Sequence, residues 1–155
     1  MKKQHGGNIT QKRIRCPYGR AVLSTLDDLI YSATRKRHEA IRRYALRNAN
    51  PSMRTVLDAC GIYDMALEAS CTGEAHLLTT KADVIAFASR ARTRMMLTEH
   101  GHKEAALAEI GLKRTTVDAW TRSHATWPRL GDLVALGVRA GYRFAWYTPN
   151  NKYEV

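Results

Sequence analysis

Histidine and cysteine side chains are the groups best suited to acid–base, nucleophilic or metal-binding chemistry, and this sequence spreads them thinly. The six histidines follow no regular spacing, and His100 and His102 only flank a glycine. The three cysteines, at positions 16, 60 and 71, form no Cys-x-x-Cys pair, and their number is odd. The sequence also contains no glycine-rich phosphate loop. We therefore expect no catalytic residues, no metal site and no cofactor, and we interpret the cysteines as free thiols in a reducing compartment.

Lysine and arginine are the most informative charged residues. The 155 residues contain 25 Lys and Arg against 14 Asp and Glu, which gives a formal net charge of +11. The excess is greatest over residues 1–20, which hold six basic residues and no acidic one. A pI near 10.0 favours polyanionic partners, chiefly nucleic acids, because binding releases counterions from the phosphates. The plainer alternative is that the charge only keeps the protein soluble.

Apolar runs in this sequence are short. None approaches the roughly 20 residues needed to cross a bilayer, and no apolar signal core follows the first residues. We therefore expect neither a membrane-spanning nor a secreted protein, and we assign it to the cytoplasm.

The N-terminal third predicts a basic arm followed by one long helix. Residues 1–18 lack helical periodicity and contain Gly6-Gly7, so we expect a flexible arm. Apolar residues then recur every three or four positions from Val22 to Tyr44, which predicts a helix over roughly residues 19–49. Its apolar stripe exceeds what a small C-terminal domain can cover, so it is a candidate dimer interface. The rival interpretation is that this helix and the aromatic tail complete one monomeric core.

Three further helices are predicted downstream. Ser52 is expected to cap a helix that continues to Leu67 and ends over residues 69–73. Thr80 and Asp83 form a capping box at the start of the next helix. Another is expected to begin at Trp127-Pro128. The aromatic segment 142–149, a second candidate dimer interface, predicts a short extended strand that must pair within the chain or with another subunit.

Residues 103–122 carry the most specific pattern. Residues 103–110 predict a short amphipathic helix, residues 111–113 a tight turn permitted by Gly111, and residues 114–122 a second helix. Two short helices joined in this way are typical of a helix-turn-helix unit, in which the second helix enters the major groove of DNA. The side chains expected to point inward are Ile110, Leu112, Val117 and Trp120. The alternative is a plain helical hairpin with a solvated basic face.

The fold class expected from these patterns is mainly α. We expect a helical bundle that contains a helix-turn-helix, with the flexible arm before it and a short extended segment at the C-terminus. The chain then divides into the arm (residues 1–18), an N-terminal helical region (19–78) and a helix-turn-helix region with its tail (79–155).

The sequence from Ala106 to Trp120, Ala-Leu-Ala-Glu-Ile-Gly-Leu-Lys-Arg-Thr-Thr-Val-Asp-Ala-Trp, is followed by Pro128 and by leucines at 130, 133 and 136. This combination resembles the lambda-repressor-like helix-turn-helix family, which includes small phage and plasmid repressors and activators. The resemblance implies double-stranded DNA as the partner, a homodimer, and RNA polymerase as a further candidate partner. It also implies a place on the nucleoid of a bacterial or phage-infected cell.

The resemblance also implies roles for individual residues. Arg114 would hold a guanine in a bidentate manner, Thr115 would touch a thymine methyl or a phosphate, and Asp118 would accept from cytosine N4. Lys113 and Arg122 are better placed for phosphates. The expected DNA contacts are Lys103, Lys113, Arg114, Thr115, Thr116, Asp118 and Arg122, and the arm contributes Lys2, Lys3, Lys12, Arg13 and Arg15.

Two functions remain after this reasoning. The leading one is a sequence-specific DNA-binding transcriptional regulator. The alternative is a structural or adaptor protein, for DNA packaging or RNA binding, that binds nucleic acid without strong sequence specificity. The ratio between specific and non-specific affinity separates the two.

Overall fold

The computed structural model describes residues 13–99, 102–122 and 126–155. Within these ranges the chain forms helices α1 (Pro17–Thr34), α2 (Glu39–Arg47), α3 (Met53–Tyr63), α4 (Lys81–Glu99), α5 (Lys103–Glu109), α6 (Arg114–Trp120) and α7 (Leu130–Arg139). Its strands are β1 (Ala66–Cys71), β2 (Glu74–Leu78), β3 (Arg143–Tyr147) and β4 (Lys152–Glu154). The strands form one antiparallel sheet in the order β2-β1-β3-β4. The mainly α prediction is confirmed, with a small sheet added.

The predicted long helix over residues 19–49 is wrong, because the chain turns between α1 and α2. Arg35 has a φ of 61° and ends α1 by donating its backbone N–H to the Tyr31 carbonyl. Beyond the turn, the Arg37 and Arg42 guanidinium groups lie 2.8 and 2.9 Å from the Asp27 carboxylate. Asp27 is buried, and a buried carboxylate requires such compensation. The apolar spacing continues across the turn because both helices bury one face in the same core.

The third helix begins as predicted and ends early. Ser52 Oγ accepts from the Arg54 backbone N–H, which confirms the cap. The helix stops at Tyr63, where Asp64 adopts a left-handed conformation with φ of 57°, and it does not continue to Leu67.

A β-hairpin occupies the segment where the sequence predicted the end of that helix. Strands β1 and β2 are joined by Thr72-Gly73, and Gly73 has a φ of 87° that favours glycine. Leu67 pairs with Leu78 of β2 on one side and with Trp146 of β3 on the other. One sheet therefore joins residues on both sides of the boundary expected at residue 78.

The C-terminal extended segment is confirmed as β3, and its partners lie in the same chain. Trp146 is fully buried, and its indole N–H donates to the Val22 carbonyl at 2.9 Å. Phe144 is also buried. The helical stripe proposed for dimerisation is buried in this core as well, at Leu23, Leu26, Ile30 and Ile41. The prediction that these side chains form a dimer interface is therefore wrong. They belong to the core of a single chain, as the rival interpretation expected.

Residues 13–16 form an extended segment that packs into the core. Ile14 is 1% exposed, and its backbone N–H donates to the Asn48 carbonyl at 3.1 Å. A Cβ atom on Gly19 would lie 3.1 Å from the Ile14 side chain, so glycine permits this approach. Residues 13–18 therefore do not belong to an unpacked arm, and the rest of the predicted arm, residues 1–12, lies outside the described residues.

Helices α4 and α7 define the frame behind the predicted DNA-binding segment. At α4 the capping box is confirmed, because Thr80 Oγ1 accepts from the Asp83 N–H while Asp83 Oδ2 accepts from the Thr80 N–H. Helix α7 begins at Leu130, two residues after the predicted start at Trp127-Pro128. The buried Asn50 side chain accepts from the Gly131 N–H at 2.7 Å and so fixes the first turn of α7.

Candidate nucleic-acid interface

Helices α5 and α6, with the turn between them, form a compact unit over residues 102–122, named here the α5–α6 unit. Gly111 in the turn has a φ of 78°, and the Leu112 N–H donates to the Leu107 carbonyl at 2.9 Å. Leu107, Leu112, Val117 and Trp120 are buried, and Ile110 is half-buried. Helix α4 packs against both helices of the unit. The predicted inward-facing side chains therefore do lock the two helices together.

The start of α6 presents a run of polar and basic side chains to solvent. Lys113, Arg114, Thr115 and Thr116 are consecutive and exposed, and Arg122 is exposed just beyond the helix. Lys103 is the first residue of α5. The structure thus brings five of the seven expected DNA contacts to the accessible side of the unit or to its end.

Asp118 is the site residue whose surroundings differ most from expectation. Its Oδ1 lies 2.6 Å from Arg92 Nη1, and its Oδ2 lies 3.9 Å from Arg114 Nε. Arg114 Nη1 also lies 3.5 Å from Glu104 Oε2. Because Oδ1 is already paired with Arg92, the predicted role of accepting from cytosine N4 would fall to Oδ2. Arg114, which this carboxylate meets only at that longer distance, has a side chain that is about half exposed.

Arg92 is the member of this cluster that the sequence did not reveal. It lies on α4, 26 residues before Asp118, and its position reflects the packing of α4 on α6. No local pattern signals such a contact. Its effect is electrostatic, because an unpaired carboxylate on the outer side of α6 would repel a phosphate backbone.

Arg13 and Arg15 are the two predicted arm contacts that the structure describes, and both are exposed. The Arg15 guanidinium lies across the turn of the α5–α6 unit, where a Cβ atom on Gly111 would be 3.0 Å from its Nη1. The extended segment therefore delivers basic side chains to the edge of the unit. Lys2, Lys3 and Lys12 lie outside the described residues.

Helix α2 carries a second basic surface. Arg43 and Arg47 are exposed, and neither forms an ion pair with any residue in the described part of the chain. Arg37 and Arg42 on the same side are paired with Asp27. The surface therefore supplies positive charge without an arrangement that would select a base.

A different polar cluster centres on Glu74 at the start of β2. The Tyr142 hydroxyl donates to Glu74 Oε1 at 2.6 Å, His76 Nε2 lies 2.9 Å from the same oxygen, and Arg90 Nη2 lies 3.0 Å from Oε2. The Arg90 and Tyr142 hydrogen bonds, followed by that from His76, lower the pKa of Glu74 to about 2. Burial, with the Glu74 contact, raises the pKa of Tyr142. The cluster ties β2 to α4 and to the start of β3, and we interpret it as structural.

Two further properties bear on function. Across residues 13–99, 102–122 and 126–155, no group of three or more His, Cys, Asp or Glu side chains is arranged to hold a metal ion. No helix in these ranges combines the length and apolar character needed to span a membrane.

Comparisons with protein-family models, with curated proteins and with solved structures give no match.

Proposed function

We propose that the protein is a sequence-specific DNA-binding transcriptional regulator. In this proposal the α5–α6 unit acts as a helix-turn-helix, α6 enters the major groove, and basic residues around it bind the phosphate backbone. The main support for this proposal is that α6 is buried on one side and presents consecutive exposed polar residues on the other.

The chemistry of the exposed residues favours base reading by a small number of side chains. Arg114 can offer two parallel N–H donors to guanine O6 and N7, and its ion pair with Asp118 on the same helix is long, at 3.9 Å, so these donors stay available. Thr115 and Thr116 offer hydroxyl and methyl groups beside it. Because Arg92 neutralises Asp118, the reading side keeps an excess of positive charge.

Phosphate contacts fall to residues that flank this side. Lys113 stands before α6, Arg122 follows it, and Arg15 lies over the turn. Such contacts set the position of the protein on the duplex and give the binding its salt dependence. Arg43 and Arg47 on α2 add further charge. One unit of this size reads a half-site, so two copies of the chain on a two-fold symmetric site complete the proposal.

Selection of bound sequences from a random duplex library tests the proposal. We expect one short motif to be enriched, with a symmetric repeat if two copies bind. As a matched comparison, Arg114→Ala should blur one position of that motif. Arg143→Ala, which removes the same charge from an exposed site on β3, should leave the motif intact. Binding without any enriched motif would instead support the adaptor function, and retention of RNA but not duplex DNA would overturn the DNA proposal.

A further inference from the structure

A partly open cavity of about 380 Å³ lies where the extended segment, the α5–α6 turn and α7 meet. Its apolar lining comes from Pro17, Ala108, Ile110, Ala135 and Val138. Val138 is 37% exposed and Ala108 is also exposed, so apolar surface is left uncovered on these walls. The volume falls in the range of small-molecule sites, roughly 300–1,000 Å³.

The charged groups around the cavity do not cancel. Glu109 Oε1 is paired with Arg139 Nη1 at 2.6 Å, which leaves that side neutral. Arg15, which also lines the cavity, forms no ion pair with any described acid. Among the lining residues this leaves one positive charge, on Arg15, which Asp132 outside the lining attracts electrostatically without an ion pair. The planar guanidinium of Arg15 matches a carboxylate in geometry.

We propose that this cavity binds a small molecule that combines an apolar body with one carboxylate group. The apolar body would cover the walls formed by Ile110 and Val138, and the carboxylate would pair with Arg15. Both parts contribute, because a bare anion would leave the apolar walls exposed to water and a neutral hydrocarbon would forgo the charge-assisted hydrogen bonds that the exposed Arg15 can donate.

The site has a consequence for DNA binding, and this part rests on the proposed function. Arg15 lies across the turn at Gly111, where we place one of its phosphate contacts. A bound carboxylate and a DNA phosphate would compete for the same guanidinium. The ligand should therefore weaken DNA binding, as expected for two ligands that share one group.

Cys16 provides a reporter of occupancy, because it lines the cavity and is half-buried. Cys71 is also half-buried but lies outside the cavity lining, and it serves as an internal control. Cys60 is buried, and burial raises its pKa to about 12, so it should react little. The experiment measures alkylation of each cysteine by iodoacetamide, resolved by peptide mass spectrometry, with octanoate or the neutral octanamide added.

Octanoate should slow alkylation of Cys16 in a saturable manner and leave the rate at Cys71 unchanged. Octanamide should protect about tenfold more weakly, because a charge-assisted hydrogen bond is lost. In Arg15→Gln, protection of Cys16 by octanoate should fall to the level given by octanamide. Arg54→Gln, the same change at an exposed site on α3, should keep the preference for octanoate.

Three results would overturn the site. The first is equal protection of Cys16 by octanoate and octanamide, and the second is no protection by either. The third is an alkylation rate at Cys16 that decreases as the protein concentration is raised, before any octanoate is added. The last result would show that a second copy covers the cavity.

DNA binding distinguishes this inference from the proposed function. Octanoate should weaken binding of the unaltered protein to its selected duplex and should not affect the residual binding of Arg15→Gln. Protection of Cys16 in a protein that selects no DNA sequence would support the cavity and overturn the proposed function. Unchanged DNA affinity under saturating octanoate would overturn the competition.

Discussion

The Glu74 cluster and the α5–α6 unit use arginine side chains in opposite ways. Around Glu74, Arg90 and Arg94 pair with one carboxylate that also accepts from the nearly buried Tyr142 hydroxyl. Around α6, Arg114 is about half exposed and its ion pairs measure 3.5 and 3.9 Å. In the first arrangement, pairing with Glu74 neutralises positive charge and joins β2, α4 and the start of β3. The second leaves positive charge accessible, which is the property a DNA-binding surface needs.

The largest expected effect is on the structural side of this comparison. Glu74→Ala should lower the free energy of unfolding by about 2–3 kcal/mol, because the Tyr142 hydroxyl loses its hydrogen-bond partner in a buried position. Urea denaturation followed by circular dichroism measures the change. The folded variant should bind the selected duplex normally. A loss of DNA binding without a loss of stability would contradict the assignment of a structural role to the Glu74 cluster.

Acidification should reproduce part of that loss. The pKa of Glu74 is lowered from 4.5 to about 2 in the folded state, so the unfolded chain takes up the proton first as the pH falls. The stabilisation is therefore complete above about pH 4.5 and is lost as the pH falls towards about 2. Denaturation midpoints across this range should fall more steeply for the unaltered protein than for Glu74→Gln. If the midpoints of the two proteins fell equally steeply with pH, Glu74 would not account for the acid sensitivity.

On the DNA side, the largest expected effect belongs to Arg114. Arg114→Ala should weaken specific binding by about 1–3 kcal/mol and relax the preference at one base pair. Stability should change little, because its ion pairs are long and solvent-exposed. Fluorescence anisotropy with the selected duplex and its single-base variants measures both quantities. An unaltered base preference would remove Arg114 from the reading residues.

The smallest expected effect is that of Lys113. Lys113→Ala should weaken binding to all duplexes similarly and reduce the salt dependence by about one counterion, because a phosphate contact is lost. The measurement is the slope of the logarithm of affinity against the logarithm of salt concentration. A loss confined to one sequence would exchange the roles of Lys113 and Arg114.

The sequence predicted the features that depend on neighbouring residues. Ser52 and the Thr80–Asp83 pair satisfy backbone N–H groups within three residues, so their patterns identify helix starts directly. Gly111 marks the turn of the α5–α6 unit for the same local reason, since its positive φ favours glycine.

Features that depend on distant residues were missed. The segment around Leu67 forms a strand because it pairs with β3, and its short, alanine-containing sequence has weak strand propensity of its own. The turn at Arg35 contains neither glycine nor proline, and it is stabilised by Asp27 through Arg37 and Arg42. Arg92 meets Asp118 across two packed helices. In each case the partner is at least 10 residues away in the sequence, so no local pattern reveals it.

Sequence reading by α6 is tested most directly by the ratio of two dissociation constants. The protein is titrated, at one fixed salt concentration, against the duplex obtained by selection and against a scrambled duplex of the same length and base composition. We expect the selected duplex to bind about 10³-fold more tightly than the scrambled one, or tighter still. A ratio near one would show that charge alone drives binding and would contradict the claim that α6 reads sequence.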